Sequence, residues 1–214
     1  MLVGQRMQRD VVTVTPGTSV TGASRLLQEH RIRHLPVVDR GRLVGIVTDR
    51  DIRRVLPSPA TSLEVHELLY LLDRLTVGEV MTGKVITVTP ETPTEEAARL
   101  LVEHRIGCLP VLQGDRLAGI LTETDLLAAL AEVLGIRKAS ARLEVVVEDA
   151  PGSLPAVCTA IAAKDGEIVS LFGARASVRG AEIPVMVVRL EAPDVDAVVE
   201  AVREAGYRVL SVTW

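Results

Sequence analysis

Residues 2–51 and 76–125 of this chain run in one register without a gap. LVGQRM at 2–7 lines up with TVGEVM at 76–81, VVTVTPGT with VITVTPET, RLLQEHRIRHLPVV with RLLVEHRIGCLPVL, and RLVGIVTDRD with RLAGILTETD. About half of the aligned positions are identical, and a repeat this long reads as duplication of a folding unit rather than of a motif. Each copy parses alike. A short β-branched strand ends at Thr-Pro, and an amphipathic helix such as Val20–Arg31 follows, with Ala23, Leu26 and Leu27 on its apolar face. Two strands, Leu35–Val38 and Leu43–Val47, are joined near Asp39–Gly41, and a helix opens at Asp49. Thr48 to Asp51 and Thr122 to Asp125 both have capping-box spacing, in which a hydroxyl and an acid satisfy the first free amides of a helix. One copy is too small to bury its own sheet, so the two are expected to pack about a pseudo-twofold axis. The predicted division is 1–56 for copy one, 57–75 for an inserted helix, 76–140 for copy two and 141–214 for a separate domain.

The insert opens with proline punctuation and a capping box at Thr61–Glu64, then presents Leu68, Leu71, Leu72 and Leu75 as a broad apolar face. After Lys138 the pattern changes. RLEVVVE reads as a strand, DAPGSLPAV as a turn into a helix, GEIVSLF and IPVMVVRLE as strands flanking a turn at Gly180, PDVDAVVEAVREA as a helix and YRVLSVTW as a last strand. That βαββαβ order is ferredoxin-like, so the predicted class is α/β (α+β).

With 214 residues, 48% of them apolar, the chain can build a real core. Aromatics at 2% provide no base-stacking platform, and a net charge of -4 argues against nucleic-acid binding. No run reaches the length of a membrane span, and MLVGQRM lacks the character of a signal peptide, so a cytoplasmic protein without a membrane partner is expected. Cys108 and Cys158 lack C-x-x-C spacing and the four histidines are dispersed, which points to buried thiols and no metal site. No nucleophile-base pair or Walker-type loop is present, so no enzyme is expected.

The paired G-x-x-T-x-x-D, TVTP at 13–16 and 87–90, and HLPVV and CLPVL resemble CBS domains, whose tandem pair is called a Bateman module. EDAPGSL at 148–154 and the βαββαβ order resemble an ACT domain. The combination is similar to the acetoin-utilisation accessory proteins of bacteria. What the resemblance implies is a regulatory sensor with an adenine nucleotide (AMP, ADP or ATP, ahead of S-adenosylmethionine or NADH) in the cleft between the copies. It requires no cofactor. It further implies an amino acid at the ACT-like domain or use of that domain for dimerisation, a homo-oligomer that is most simply a dimer, and a downstream protein of unknown identity. The alternative is an oligomerising scaffold with vestigial pockets.

The chemistry beside that resemblance is specific. Asp51 and Asp125, each on a first helical turn, can accept hydrogen bonds from a ribose diol, while Thr48, Thr122 and nearby amides meet phosphate. Gly45 and Gly119 allow close backbone approach. Thr13 with Pro16, and Thr87 with Pro90, would leave main chain open to an adenine edge. The copies differ where phosphate would matter: Arg33, His34 and Arg50 have Gly107, Cys108 and Thr124 as counterparts. Residues 1–56 hold 10 basic and 5 acidic residues, a net of +5, whereas 57–140 hold 7 and 12, a net of -5. The Asp51 site is therefore expected to favour phosphorylated ligands. In the ACT-like domain, Asp149, Gly152, Ser153 and Leu154 form a turn at a helix start that can seat a carboxylate.

Overall fold

The structure is a computed structural model that describes residues 1–55, 74–136, 140–147, 152–178 and 180–214. The inserted helix, with its Thr61–Glu64 box and most of its leucine face, lies outside the described residues, as does Asp149. Two compact units are present, Met1–Leu126 and Leu127–Trp214.

In the first unit, copy one contributes α1 (Val20–Glu29), the antiparallel pair β1 (His34–Asp39) and β2 (Arg42–Thr48), and α2 (Asp49–Val55). Copy two opens with the short helix α3 (Val77–Val80) and continues with α4 (Thr94–His104), the pair β3 (Cys108–Gln113) and β4 (Arg116–Thr122), and the start of α5 (Glu123–Val133), whose residues from Leu127 on fall in the second unit. Helix α1 starts where Ser19 accepts from the Gly22 amide at 3.1 Å. It ends two residues earlier than the apolar spacing predicts, because Arg31 turns left-handed at φ 53°.

The strand expected before each Thr-Pro is reduced to one bridging residue, Val14 on Val37 and Val88 on Val111. Val14 donates to the Pro36 carbonyl at 3.1 Å and accepts from Val38 at 2.8 Å. The next rung of a parallel ladder would need an N–H at residue 36, which proline lacks. Pro110 stops the ladder at Val88 in the same way. The Leu-Pro pair thus leaves the main chain of 11–12 and 85–86 outside any sheet.

The two cores exchange their first turns. Val77 is wholly buried among Val20, Leu35, Val47 and Ile52 of copy one, while Val3 and Met7 are buried among Leu101, Leu109 and Leu121 of copy two. Each cross-contact has a counterpart 74 residues on: Leu2 bridges Pro93 as Thr76 bridges Ser19, and Gln8 bridges Ile120 as Thr82 bridges Ile46. The pairing is thus pseudo-twofold, and neither hydrophobic core is made from one copy alone.

The second unit carries β5 (Ala141–Val146), α6 (Ser153–Ala162), β6 (Glu167–Val178), β7 (Ala181–Glu191), α7 (Val195–Glu204) and β8 (Val209–Thr213). Its antiparallel sheet has the order β6-β7-β5-β8, which is the βαββαβ arrangement read from the sequence. Leu143, Val145, Val188 and Leu190 of the sheet form one core with Ile161 of α6 and Val198 and Val202 of α7. Asp194 caps α7 by accepting from the Ala197 amide at 3.0 Å.

Candidate functional site

Both capping boxes form. Asp51 Oδ2 accepts from the Thr48 amide at 3.0 Å and from Thr48 Oγ1 at 2.7 Å, while the Asp51 amide donates back to Thr48 Oγ1 at 3.2 Å. Asp125 and Thr122 repeat the pattern at 2.8, 2.7 and 3.3 Å. Each box uses one carboxylate oxygen and leaves the other for something else. At Asp51 the second oxygen, Oδ1, lies 4.0 Å from Arg54 Nη1. At Asp125 it accepts a hydrogen bond from Gln8 Nε2 at 3.0 Å.

Two clefts flank these aspartates, of about 390 Å³ at Asp51 and 400 Å³ at Asp125, within the range of small-molecule sites. Each takes the helix start of one copy and the unladdered segment of the other. The Asp51 cleft is bordered by Thr48 and Arg50 of copy one and by Val85, Ile86 and Ile106 of copy two; the Asp125 cleft mirrors it with Thr122, Thr124, Val11, Val12 and Ile32. The proline that ends each short ladder is what exposes these walls. Arg105, like its counterpart Arg31, sits in the left-handed region at φ 53° and lines the cleft of the other copy's aspartate. At both equivalent corners the left-handed arginine ends a helix and turns the chain into the cleft wall, which sequence spacing gave no sign of.

The charges around the clefts differ. Arg33, Arg50, Arg54, Lys84 and Arg105 border the Asp51 cleft together with Asp49, Asp51 and Glu123. The Asp125 cleft has Arg31 and Arg33 against Asp10 and Asp125. Arg33 and His34, read from the sequence as features of the first site, line both clefts, because they lie where the two copies meet. Arg53, next to Arg54 in the chain, is held by Asp49.

Other residues expected at the site lie elsewhere. The Pro16 carbonyl accepts from the Gly78 amide at 2.8 Å and that of Pro90 from the Gly4 amide at 2.8 Å. Each Thr-Pro corner thus receives the exchanged turn of the other copy, and Thr13 and Pro16 border neither cleft. Thr87 lines a separate, more open hollow with Thr89 and Thr92. Gly45 and Gly119 are explained by packing: a Cβ at Gly45 would stand 2.4 Å from Met81 Sδ, and one at Gly119 would stand 2.7 Å from Met7 Sδ and 2.8 Å from the Gln8 carbonyl. Those methionines belong to the exchanged turns. In the second unit Gly152 precedes α6 at φ 111°, a conformation suited to glycine, and Leu154 is exposed.

Cys108 is buried, and burial followed by the charge of Glu123 pushes its thiol up to about 12, so it is a neutral packing residue. Burial, then Arg33, holds His34 below its ordinary value near 6.5, against the opposing pull of Asp49, Glu123 and Asp51. With a folded pKa below the unfolded one, the unfolded chain binds more protons as the solution is acidified. The stabilisation is complete above about pH 6.5 and is lost as pH falls through the folded value. Denaturant unfolding between pH 5 and 8 should therefore show declining stability below pH 6.5, and His34→Gln should flatten that part of the profile.

Among the described residues, no helix is long and apolar enough to cross a membrane. The CBS domain family matches residues 3–58 and again 77–132. A CBS domain-containing protein of Dictyostelium discoideum is 37% identical over 136 residues, covering 63% of this chain and 94% of its own length. Among solved structures, a Vibrio cholerae protein assigned to acetoin utilization (AcuB) is 30% identical with a TM-score of 0.53, covering 64% of this chain and 95% of its own. The CBS domain pair of protein MJ0100, crystallised with 5′-methylthioadenosine and S-adenosyl-L-methionine, is 28% identical with a TM-score of 0.51, covering 64% and 98%. Residues after 132 fall outside the two family matches. Matched twice along its length, and folded so that each copy completes the other's core and cleft, the chain belongs to the CBS domain family.

Proposed function

We propose that the chain is a non-enzymatic regulatory sensor that takes an adenosyl ligand, foremost AMP, ADP or ATP, in the Asp51 cleft. The observation that carries this reading is the divided carboxylate of Asp51. Oδ2 is spent on the helix cap, and Oδ1 accepts no hydrogen bond from any described residue while bordering a cleft with apolar walls and five cationic side chains. A ribose diol would donate to Oδ1, an adenine ring would lie between Ile46, Ile86 and Ile106, and phosphate would meet Arg50, Arg33 and the start of α2. The adenosyl compounds bound by the MJ0100 pair are consistent with this ligand class. In the same reading the C-terminal unit is an ACT-like module for dimerisation or for an amino-acid effector at the Gly152–Leu154 turn; its βαββαβ order supports that assignment.

The test is titration of the full chain with AMP, ADP, ATP, adenosine, 5′-methylthioadenosine and S-adenosylmethionine. A ligand selective for the folded state should stabilise it by about 2.7 kcal/mol at a hundredfold excess over its Kd. Arg50→Ala should weaken AMP by about tenfold or more and adenosine little, since a hydrogen bond to a charged group is worth about 1.5–3 kcal/mol. Equal losses for both ligands would remove the phosphate role from Arg50. If no adenosyl compound binds, the sensor reading falls and the scaffold alternative stands.

A further inference from the structure

We infer that Gln8 weakens nucleoside binding in the Asp125 cleft by occupying the acceptor that a ribose would need, so that the two clefts are unequal by construction. The inference rests on the adenosyl reading of the Asp51 cleft. Its own observation is the hydrogen bond from Gln8 Nε2 to Asp125 Oδ1 at 3.0 Å, which joins residues 117 positions apart. Both oxygens of Asp125 are thereby engaged, Oδ2 by its cap and Oδ1 by the glutamine.

The corresponding position in the Asp51 cleft is Thr82. Its backbone pairs with Ile46 at 2.9 and 3.0 Å just as Gln8 pairs with Ile120 at 2.9 and 2.9 Å, so the two main chains are placed alike. Only the side chains differ. Threonine is too short to span to the aspartate, and Asp51 Oδ1 accepts no hydrogen bond from a described residue. The difference is one of reach, set by a single residue in each copy.

Once opened, the Asp125 cleft would take a different ligand from its twin. Lys84, Arg50 and Arg54 of the Asp51 cleft are replaced by Asp10, Thr124 and Ala128, which removes three cations and adds a carboxylate. The ligand class that fits is an adenosyl compound without phosphate. Gln8 is exposed and Asp125 half-buried, so the glutamine can be displaced at a modest cost, and the bond weakens a ligand rather than forbidding it.

The experiment is isothermal titration of the full chain with adenosine and with AMP in four proteins: wild type, Asp51→Ala, Asp51→Ala with Gln8→Thr, and Thr82→Gln. Threonine is the residue the other copy uses, and the backbone pairing of residue 8 does not depend on its side chain. In the Asp51→Ala background, which leaves only the second cleft, Gln8→Thr should tighten adenosine by about tenfold, the scale of one hydrogen bond to a charged group, and should favour adenosine over AMP. The reciprocal change Thr82→Gln should weaken AMP in the first cleft by a similar factor. If Gln8→Thr leaves adenosine affinity within twofold, the inference is overturned. Failure of the adenosyl reading looks different: wild type binds neither ligand. If Gln8→Thr then gains binding, the glutamine gate stands while the Asp51 assignment falls. If no protein of the set binds either ligand, both fall.

Discussion

Asp51→Asn should weaken AMP binding by about a hundredfold while leaving the ligand-free protein nearly as stable as wild type. Asp51 is the third residue of its helix and reaches back to the N-cap, and the carbonyl oxygen of asparagine can accept from the Thr48 amide and hydroxyl as Oδ2 does now. What remains towards the cleft is then an NH₂ group in place of an acceptor. Two hydroxyls of a ribose diol would meet a donor, and the charge that strengthened both bonds would be gone. Bonds to a charged group are worth about 1.5–3 kcal/mol each, so a loss near 3 kcal/mol is a fair expectation even when one is partly replaced by water, and that is about a hundredfold. Asp125→Asn should leave AMP affinity nearly unchanged, because Gln8 already occupies the equivalent oxygen. Calorimetry gives the affinities, and melting of the ligand-free proteins separates the cap from the site. A drop in AMP affinity of less than threefold would take Asp51 out of the binding chemistry.

The second large effect concerns folding. A chain starting at Arg9 should lose the cooperative structure of copy two while copy one stays folded longer. Residues 1–8 belong to the second core: Val3 and Met7 are buried there, Val3 and Gly4 donate to the carbonyls of Thr92 and Pro90 at 2.9 and 2.8 Å, and Gln8 exchanges two backbone bonds with Ile120. Burying two such side chains contributes about 1.5–3 kcal/mol each, and a typical domain has only about 5–15 kcal/mol in all. Hydrogen exchange followed through denaturant should show the amides of β3 and β4 losing protection before those of β1 and β2. Simultaneous loss in both pairs, or none in either, would contradict the exchange of first turns between cores.

Much of this molecule was legible in the chain because the signals are local. The 74-residue register shows in the chain's alignment with itself, and the capping boxes at Thr48 and Thr122, the hairpin strands around Asp39–Gly41 and the βαββαβ order after Ala141 follow from spacings of two to four residues, where backbone geometry and side-chain period decide the outcome. Arg33, Arg50 and Asp51 of the Asp51 cleft were likewise visible in the sequence, whereas Lys84, Arg105 and Glu123 reach it from copy two and were not. Other features depended on partners distant in sequence. Pro16 and Pro90 read as open corners, but the exchanged turns carrying Gly78 and Gly4 fill them. Gly45 and Gly119 read as ligand approaches, but Met81 and Met7 need that space.

By itself, then, the sequence determined what the two copies are and how each is built, down to the caps and the class of the C-terminal unit. Only the tertiary structure decided which copy completes which core, which segments wall each cleft, that Arg33 and His34 stand between both, and that Gln8 reaches Asp125. The physical reason is that local propensity acts over a few bonds, whereas these choices are made by packing. When an apolar turn can be buried equally well on either copy, geometry across some hundred residues selects the partner, and no periodicity in the chain records the choice.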